Sequence, residues 1–375
     1  MVAVEQINVK DRRDVARFID FPYRLYAGHP QWVPPFRADI RTMLNRDKHP
    51  YYEHSDADFF VAVQNGSVVG RIAALENRGY NRYRGASTAN FYLFETVDDI
   101  DVVRALFDRV IAWARERGLN RLVGPKGFGS LDGYGVLVDG YEHRQMMTMM
   151  NYNYAYYPVL LESLGFEKEV DFVSCYIGVD VFKLPERIHR IAQRVMERGS
   201  LEVKRFASRR EIRAWTERIR QAYNRTFVSN WEFQPLTARE AQFMMDNAIA
   251  LSDPGLIKII VHDEEMVGFL FGFPDVSAAL QRAKGRMTPW ALVDLLVEMR
   301  RTRWLALNGA GLVPDFQGVG GNALLYAEME NTIRGRDFRH ADLTQVAETA
   351  VQMRHDLENV GGRMYKNHRV YRMAL

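Results

Sequence analysis

Cysteine is nearly absent. The 375 residues hold one, Cys175, so neither an intrachain disulfide nor a cysteine-based zinc site can form. Cys175 lies in the apolar run Phe172-Val173-Ser174-Cys175-Tyr176, where a packed thiol is expected rather than a nucleophile. Long apolar stretches are missing too. No run approaches the roughly 18 residues of a membrane span. Met1–Arg13 carries charges where a signal peptide would need an apolar segment, so the expectation is a soluble cytoplasmic protein. Charge of one sign is scarce, with a net charge of only +3. That balance does not advertise a nucleic-acid partner. Local arginine clusters, Arg209-Arg210 and Arg300–Arg303, read as solvated helix faces or as attraction to phosphates or an anionic membrane surface.

What is present is a repeat. Leu161-Glu162-Ser163-Leu164-Gly165-Phe166 matches Leu357-Glu358-Asn359-Val360-Gly361-Gly362 at an offset of 196 residues. The same offset sets Phe172–Tyr176 against His368–Arg372 as matching strands. Upstream, Asp58–Ile72 reads as a hairpin turning at Asn65-Gly66, and Gly255–Phe271 as one turning at Asp263-Glu264. A strand follows each, Asn90–Glu95 or Arg303–Leu312. Then comes an amphipathic helix, Val102–Arg117 or Gly320–Gly335, and a further strand, Arg121–Val123 or His340–Leu343. A meander joined to a βαβ crossover is an α+β unit. Residues 1–183 and 201–375 are therefore read as two copies, with a linker helix over 184–200.

The second copy carries the chemistry. Its strand runs into Val313-Pro314-Asp315-Phe316-Gln317-Gly318-Val319-Gly320-Gly321-Asn322. A glycine-rich turn opening a helix presents free N–H groups at the positive end of the helix dipole, which suits a pyrophosphate. The run resembles motif A of the GNAT superfamily of N-acetyltransferases, whose core is Gln/Arg-x-x-Gly-x-Gly/Ala after a strand ending apolar-x-Pro. Leu312-Val313-Pro314, Gln317 and Gly320 fit, while Asn322 replaces a small residue. The resemblance implies that Leu312, Val313, Gln317, Gly318, Val319, Gly320, Gly321 and Asn322 bind the coenzyme, with acetyl-CoA or a longer acyl-CoA as co-substrate and no metal. The first copy has Phe94-Glu95-Thr96-Val97-Asp98-Asp99-Ile100-Asp101 at this turn. Acidic caps satisfy a helix N-terminus and repel phosphate, so this copy reads as degenerate. Asn230-Trp231-Glu232-Phe233-Gln234-Pro235-Leu236-Thr237, Gly272-Phe273-Pro274-Asp275 and Gly124-Pro125 resemble the double-GNAT group that includes bacterial ceramide synthase. The fold implied is two tandem GNAT-like domains, each a mixed, mainly antiparallel sheet flanked by helices.

The resemblance implies direct attack of an amine on the thioester, with an oxyanion donor from the backbone near Leu312 or Val313. The tyrosine that many such enzymes use as acid falls, by the repeat, on Leu357 and is missing. Tyr365, Tyr371 and His355 are alternative acids, and Glu232, Asp275 and His340 are alternative bases. Asn230 and Trp231 are candidates for the acceptor pocket. Two insertions stand out. Gly124–Tyr157 contains Met146-Met147-Thr148-Met149-Met150 and a tyrosine-rich tail. Asp275–Arg303 contains Trp290–Met299 followed by Arg300-Arg301, readable as a lid, a membrane-surface helix or a core helix. Both suit a bulky or long-chain, lipid-like amine or acyl group. Peripheral membrane contact stays open. The alternatives are a non-catalytic acyl-CoA sensor and an aminoacyl-tRNA-dependent transferase.

Overall fold

A computed structural model describes every residue of the chain except 130 and 131. The first copy runs β1 (Ala3–Gln6), α1 (Arg12–Leu25), α2 (Arg37–Leu44), β2 (Asp56–Gln64), β3 (Ser67–Glu76), α3 (Arg78–Arg84), β4 (Thr88–Thr96), α4 (Ile100–Arg115) and β5 (Arg121–Gly124). β6 (Val136–Asp139), α5 (Tyr156–Ser163) and β7 (Glu167–Gly178) complete it, and α6 (Glu186–Arg198) follows. The second copy has β8 (Glu202–Lys204), α7 (Arg209–Ala214), α8 (Thr216–Thr226), α9 (Ala238–Leu251), β9 (Ile257–His262), β10 (Glu265–Pro274), α10 (Ser277–Ala283) and α11 (Pro289–Arg301). It closes with β11 (Trp304–Leu312), α12 (Gly321–Arg334), β12 (His340–Ala347), α13 (Val351–Asn359) and β13 (Arg363–Ala374).

Turn chemistry sets the hairpins. Asn65 and Gly66 have φ of 50° and 75°, and Asp263 and Glu264 have 47° and 63°. Two successive left-handed residues match the twist of a two-residue hairpin. Asn, Asp and Gly tolerate that geometry, whereas Glu264 carries it under strain. Both hairpins pack helices on each face. In the first copy α4 buries Leu106, Phe107 and Val110 on one face, while α1 buries Phe18 and Ile19 on the other. In the second, Leu324 and Leu325 of α12 join the core on one side, and Ile212 and Ala222 of α7 and α8 cover the other.

All strands belong to one 13-stranded sheet, ordered β1-β2-β3-β4-β5-β13-β7-β12-β11-β10-β9-β8, with β6 alongside β13. The last strands are exchanged. β13, from the end of the second copy, pairs antiparallel with β5 of the first. β7, from the end of the first, pairs antiparallel with β12 of the second. β7 and β13 lie side by side at the centre, where Phe172 faces His368. Those two residues are also repeat mates, so the pseudo-two-fold axis passes between them. Beside it, Arg369 grips Asp171 through Nε at 2.9 Å and a second nitrogen at 3.1 Å. Such a two-pronged pair directly across the ladder locks the register. Separating residues 1–183 from 201–375 would therefore strip each half of a central strand. Among the described residues, no helix is long and apolar enough to cross a membrane.

Candidate functional site

The turn after β11 has the geometry its glycines suggest. Gly318 and Gly320 have φ of 77° and 96°, a region that disfavours any side chain. Gly320 is the N-cap of α12, and no side chain caps it. Among the described residues, no hydrogen bond reaches the amides of Gly318, Val319, Gly320, Gly321 or Asn322. Gln317, Gly318, Val319 and Asn322 are exposed. Gln317 folds back, its Nε2 donating to the Leu312 carbonyl at 3.3 Å. Unclaimed amides at a helix N-terminus suit an anion. A Cβ at Gly320 would come within 2.7 Å of Val195 and 2.9 Å of Ile191, both on α6, and one at Gly321 within 2.9 Å of Leu312. The linker helix thus braces the turn.

Beneath it the sheet splits. The parallel pairing of β11 with β12 ends at Leu307↔Leu343. β11 continues along β10 to Gly268↔Leu312, with a bulge opposite Phe271, while β12 turns to β7. The edge of β11 from Asn308 to Leu312 is left open. Val313 donates to Val267 at 2.9 Å, so its amide is spent on the ladder. Hydrogen bonding alternates along an antiparallel strand. Ala310 and Leu312 therefore face the gap, and of the two residues named for an oxyanion donor only Leu312 has its amide there. Asn308 Nδ2 donates to Gln345 Oε1 at 3.2 Å across the gap. Gln345 holds φ of 59° and donates to the Asp132 and Met149 carbonyls at 3.2 and 3.0 Å.

The gap opens into a cavity of about 1390 Å³ walled by both copies. Met147 and Met149 from the first insertion, Met244 and Met245 of α9, and Leu295 and Met299 of α11 give it adaptable apolar walls. Asn230, Trp231 and Glu232 all line it. Asn230 is exposed at its rim. Trp231 packs on Phe172 and Tyr134 and donates to Glu169 at 3.1 Å. Glu232 has a φ of 47°, a strained setting for its side chain. Its side chain is 3% exposed. One oxygen is ion-paired with Lys126 of the first copy, while the other, Oε1, has no hydrogen-bond partner among the described residues. Lys126 was invisible to sequence reading, because its partner lies 106 residues away.

The other acid–base candidates lie outside the cavity. Tyr365 donates to Asp342, which also pairs with Lys366 at 3.1 Å. Asp275 is ion-paired with Arg144 of the first insertion and holds the Ser277 amide at 2.8 Å. Burial raises both Tyr365 and Asp275 above their ordinary ranges. Tyr365 and Asp275 share one buried polar cluster, since each feels both Asp342 and Arg144, but neither lines the cavity. The missing acid position, Leu357, is packed in the core. Tyr371 is buried in the first copy's core with its hydroxyl on Glu162 at 2.9 Å, and His340 stacks on Trp304. His355 is exposed beside Glu358. Cys175 is fully buried, and burial pushes its thiol up to about 12.

The first copy shows the same geometry plugged. Val97 donates to Val69 at 3.0 Å as Val313 does to Val267, which makes Thr96 the mate of Leu312. The Thr96 amide is taken by the Tyr157 hydroxyl at 2.9 Å, and Tyr156 donates to the Thr96 carbonyl at 2.7 Å. Asp99 caps α4 through the Asp101 amide. Glu95 is held by Tyr26 at 2.6 Å and Tyr157 at 3.0 Å. Here the amides of Thr96, Asp99 and Asp101 are all taken by the protein's own groups.

No family model matches the chain. Two curated proteins resemble it over nearly their whole lengths. Bacterial ceramide synthase of Caulobacter vibrioides is 27% identical, the match covering 98% of this chain and 97% of that one. Protein YghO of Escherichia coli is 25% identical, covering 96% and 93%. Among solved structures, a tandem GNAT protein from the clavulanic acid biosynthesis pathway superposes with a TM-score of 0.57 at 12% identity, over 100% of this chain and 98% of that one. A GCN5-related N-acetyltransferase from Sphaerobacter thermophilus gives 0.51 at 13% identity, over 100% and 95%. At such identities the structural likeness shows the fold, two GNAT units in tandem, as the turn and the repeat implied.

Proposed function

We propose that this protein, a tandem GNAT by fold, is an acyl-CoA-dependent N-acyltransferase whose acceptor is a lipid-like amine. The observation that carries the reading is the set of unclaimed amides from Gly318 to Asn322, set beside a split sheet that opens into a large apolar cavity. Residues 318–322 hold the coenzyme's pyrophosphate. The amides of Ala310 and Leu312 are the donors that a thioester laid along the open edge of β11 would meet. Glu232 Oε1 takes the proton that the acceptor amine releases as its nitrogen bonds to the acyl carbon and the carbon–sulfur bond breaks. Lys126, ion-paired to the other carboxylate oxygen, holds Glu232 in place. Asn230 and Trp231 border the acceptor's entry. The cavity's size and its Met and Leu walls favour a long chain on the acceptor, the acyl group or both. The name of the Caulobacter relative supports an acceptor of that kind.

Thiol release tests the reading. The purified protein is mixed with acyl-CoAs of graded length and a long-chain amine, and free CoA is titrated with a thiol reagent. Release that needs both partners and improves with chain length is expected. Thermal stabilisation by acyl-CoA without any release would instead make the protein a sensor. Release with acetyl-CoA alone would end the long-chain assignment.

A further inference from the structure

α11 is built the wrong way round for a soluble surface. At 3.6 residues per turn, its positions fall into two halves. Ala291 and Leu295 are buried on one side. On the same side Asp294 and Glu298 turn inward to Arg282 of α10, at 2.8 and 2.5 Å. The solvent side is apolar. Trp290 is 81% exposed, Leu292 47%, Val293 51%, Leu296 54% and Val297 37%, with Met287 at 50% just before the helix. Singly exposed apolar residues need no explanation, but a contiguous patch of this kind marks an interaction surface.

Two further observations choose the occupant. Lys284 and Arg286 precede the helix, and Arg300 and Arg301 end it. All four are exposed, and none has a carboxylate in ion-pair range among the described residues. A tryptophan and aliphatic face framed by free cations is the pattern of a helix lying in a lipid–water interface. The cationic frame also disfavours a second copy of the same face. Moreover, Met287, Leu292 and Leu296 line the cavity while standing exposed. The patch is thus the rim of the cavity's mouth. We propose that α11 docks on an anionic membrane surface and that the cavity loads its long-chain ligand from the bilayer through this mouth. The docking part rests on the surface alone; the loading part rests on the function proposed above.

The test is flotation of the full-length protein with phosphatidylcholine vesicles, with and without phosphatidylglycerol. Flotation should require the anionic lipid and fall as salt rises. The double variant Trp290→Ala/Val293→Glu alters two exposed residues that do not line the cavity, so its melting temperature should match wild type. Its partitioning onto anionic vesicles should drop at least tenfold, and Arg300→Ala/Arg301→Ala should weaken salt-sensitive binding. Turnover of a short, water-soluble amine by the first variant should be unchanged. Failure of wild type to float, or equal flotation of the double variant, overturns docking. A dimer by light scattering that Val293→Glu dissolves would assign the patch to a second copy instead. Normal flotation with no thiol release would overturn the enzymatic reading and leave docking standing.

Discussion

Gly318 gives the cleanest measure of whether the turn grips a pyrophosphate. Its φ is +77°, and a Cβ built there meets nothing within 4 Å. Gly318→Ala therefore adds backbone strain without a clash. The left-handed region costs a side-chain-bearing residue about 1–2 kcal/mol. If the free turn relaxes to escape that cost, binding must restore it, and CoA affinity falls by roughly 5- to 30-fold, at tenfold per 1.4 kcal/mol. Gly318→Asn should fall between, because Asn tolerates this conformation. The control is Gly85→Ala. Gly85 caps α3 in the first copy with φ of +65° and equally open space. It suffers the same strain away from the turn. Calorimetric titration with CoA should order the proteins as wild type, then Gly318→Asn, then Gly318→Ala, with Gly85→Ala binding like wild type. Unchanged affinity in Gly318→Ala, or an equal loss in Gly85→Ala, would refute the assignment.

Glu232→Gln should lower kcat by about 10²-fold or more with little change in the KM for acyl-CoA, as expected when a proton acceptor is removed. Lys126→Met strands a buried carboxylate and should cost about 3 kcal/mol in urea unfolding; a variant as stable as wild type would show the pair to be incidental. His368 donates from Nε2 to the Asn151 carbonyl, and burial lowers its pKa from 6.5 to about 3. The unfolded chain binds its proton below pH 6.5 and the folded chain only near 3, so this contribution is complete above 6.5 and is lost as pH falls through that window. His368→Asn should flatten the slope of stability against pH by about 1.4 kcal/mol per unit there, read from urea midpoints; equal slopes would refute it. Finally, residues 1–183 alone lack β13, so they should show no cooperative unfolding, whereas supplying residues 351–375 through a linker should restore it.

Local structure was legible because its causes are local. Asn65-Gly66 and Asp263-Glu264 turn where their residues tolerate positive φ, and the Gln317–Asn322 loop announces itself by its glycines. The exchange of β7 and β13 was not legible. Repeat mates satisfy either half's sheet equally well by pattern, so the sequence cannot say which copy a final strand joins. Tyr365 and Asp275 carry acid–base groups that a sequence shows, but their partners Asp342 and Arg144 lie 23 and 131 residues away and do not show there. α11 shows a related limit. Periodicity reveals that one face is apolar and leaves open which way it points. Its direction follows from Arg282, which draws Asp294 and Glu298 inward.

The degenerate copy would be hard to explain if each half were self-sufficient. Instead, the open site is assembled from both. Lys126 holds Glu232 and the carbonyls of Asp132 and Met149 hold Gln345 at the lip of the gap, while Arg144 holds Asp275 in the polar cluster outside the cavity. All four come from the first copy's β5–α5 segment. The same copy lends β7 to the sheet beneath the gap and takes β13 in return. Its own gap is stopped by Tyr157, which satisfies the Thr96 amide that would otherwise be buried unpaired at a cost of about 1–3 kcal/mol. A plug of this kind removes a second ligand site while leaving the fold intact. The first copy serves the second as wall and brace. On the proposed function, substitutions at Lys126, Asp132 or Met149 in the first copy therefore reach the chemistry of the second through one shared sheet.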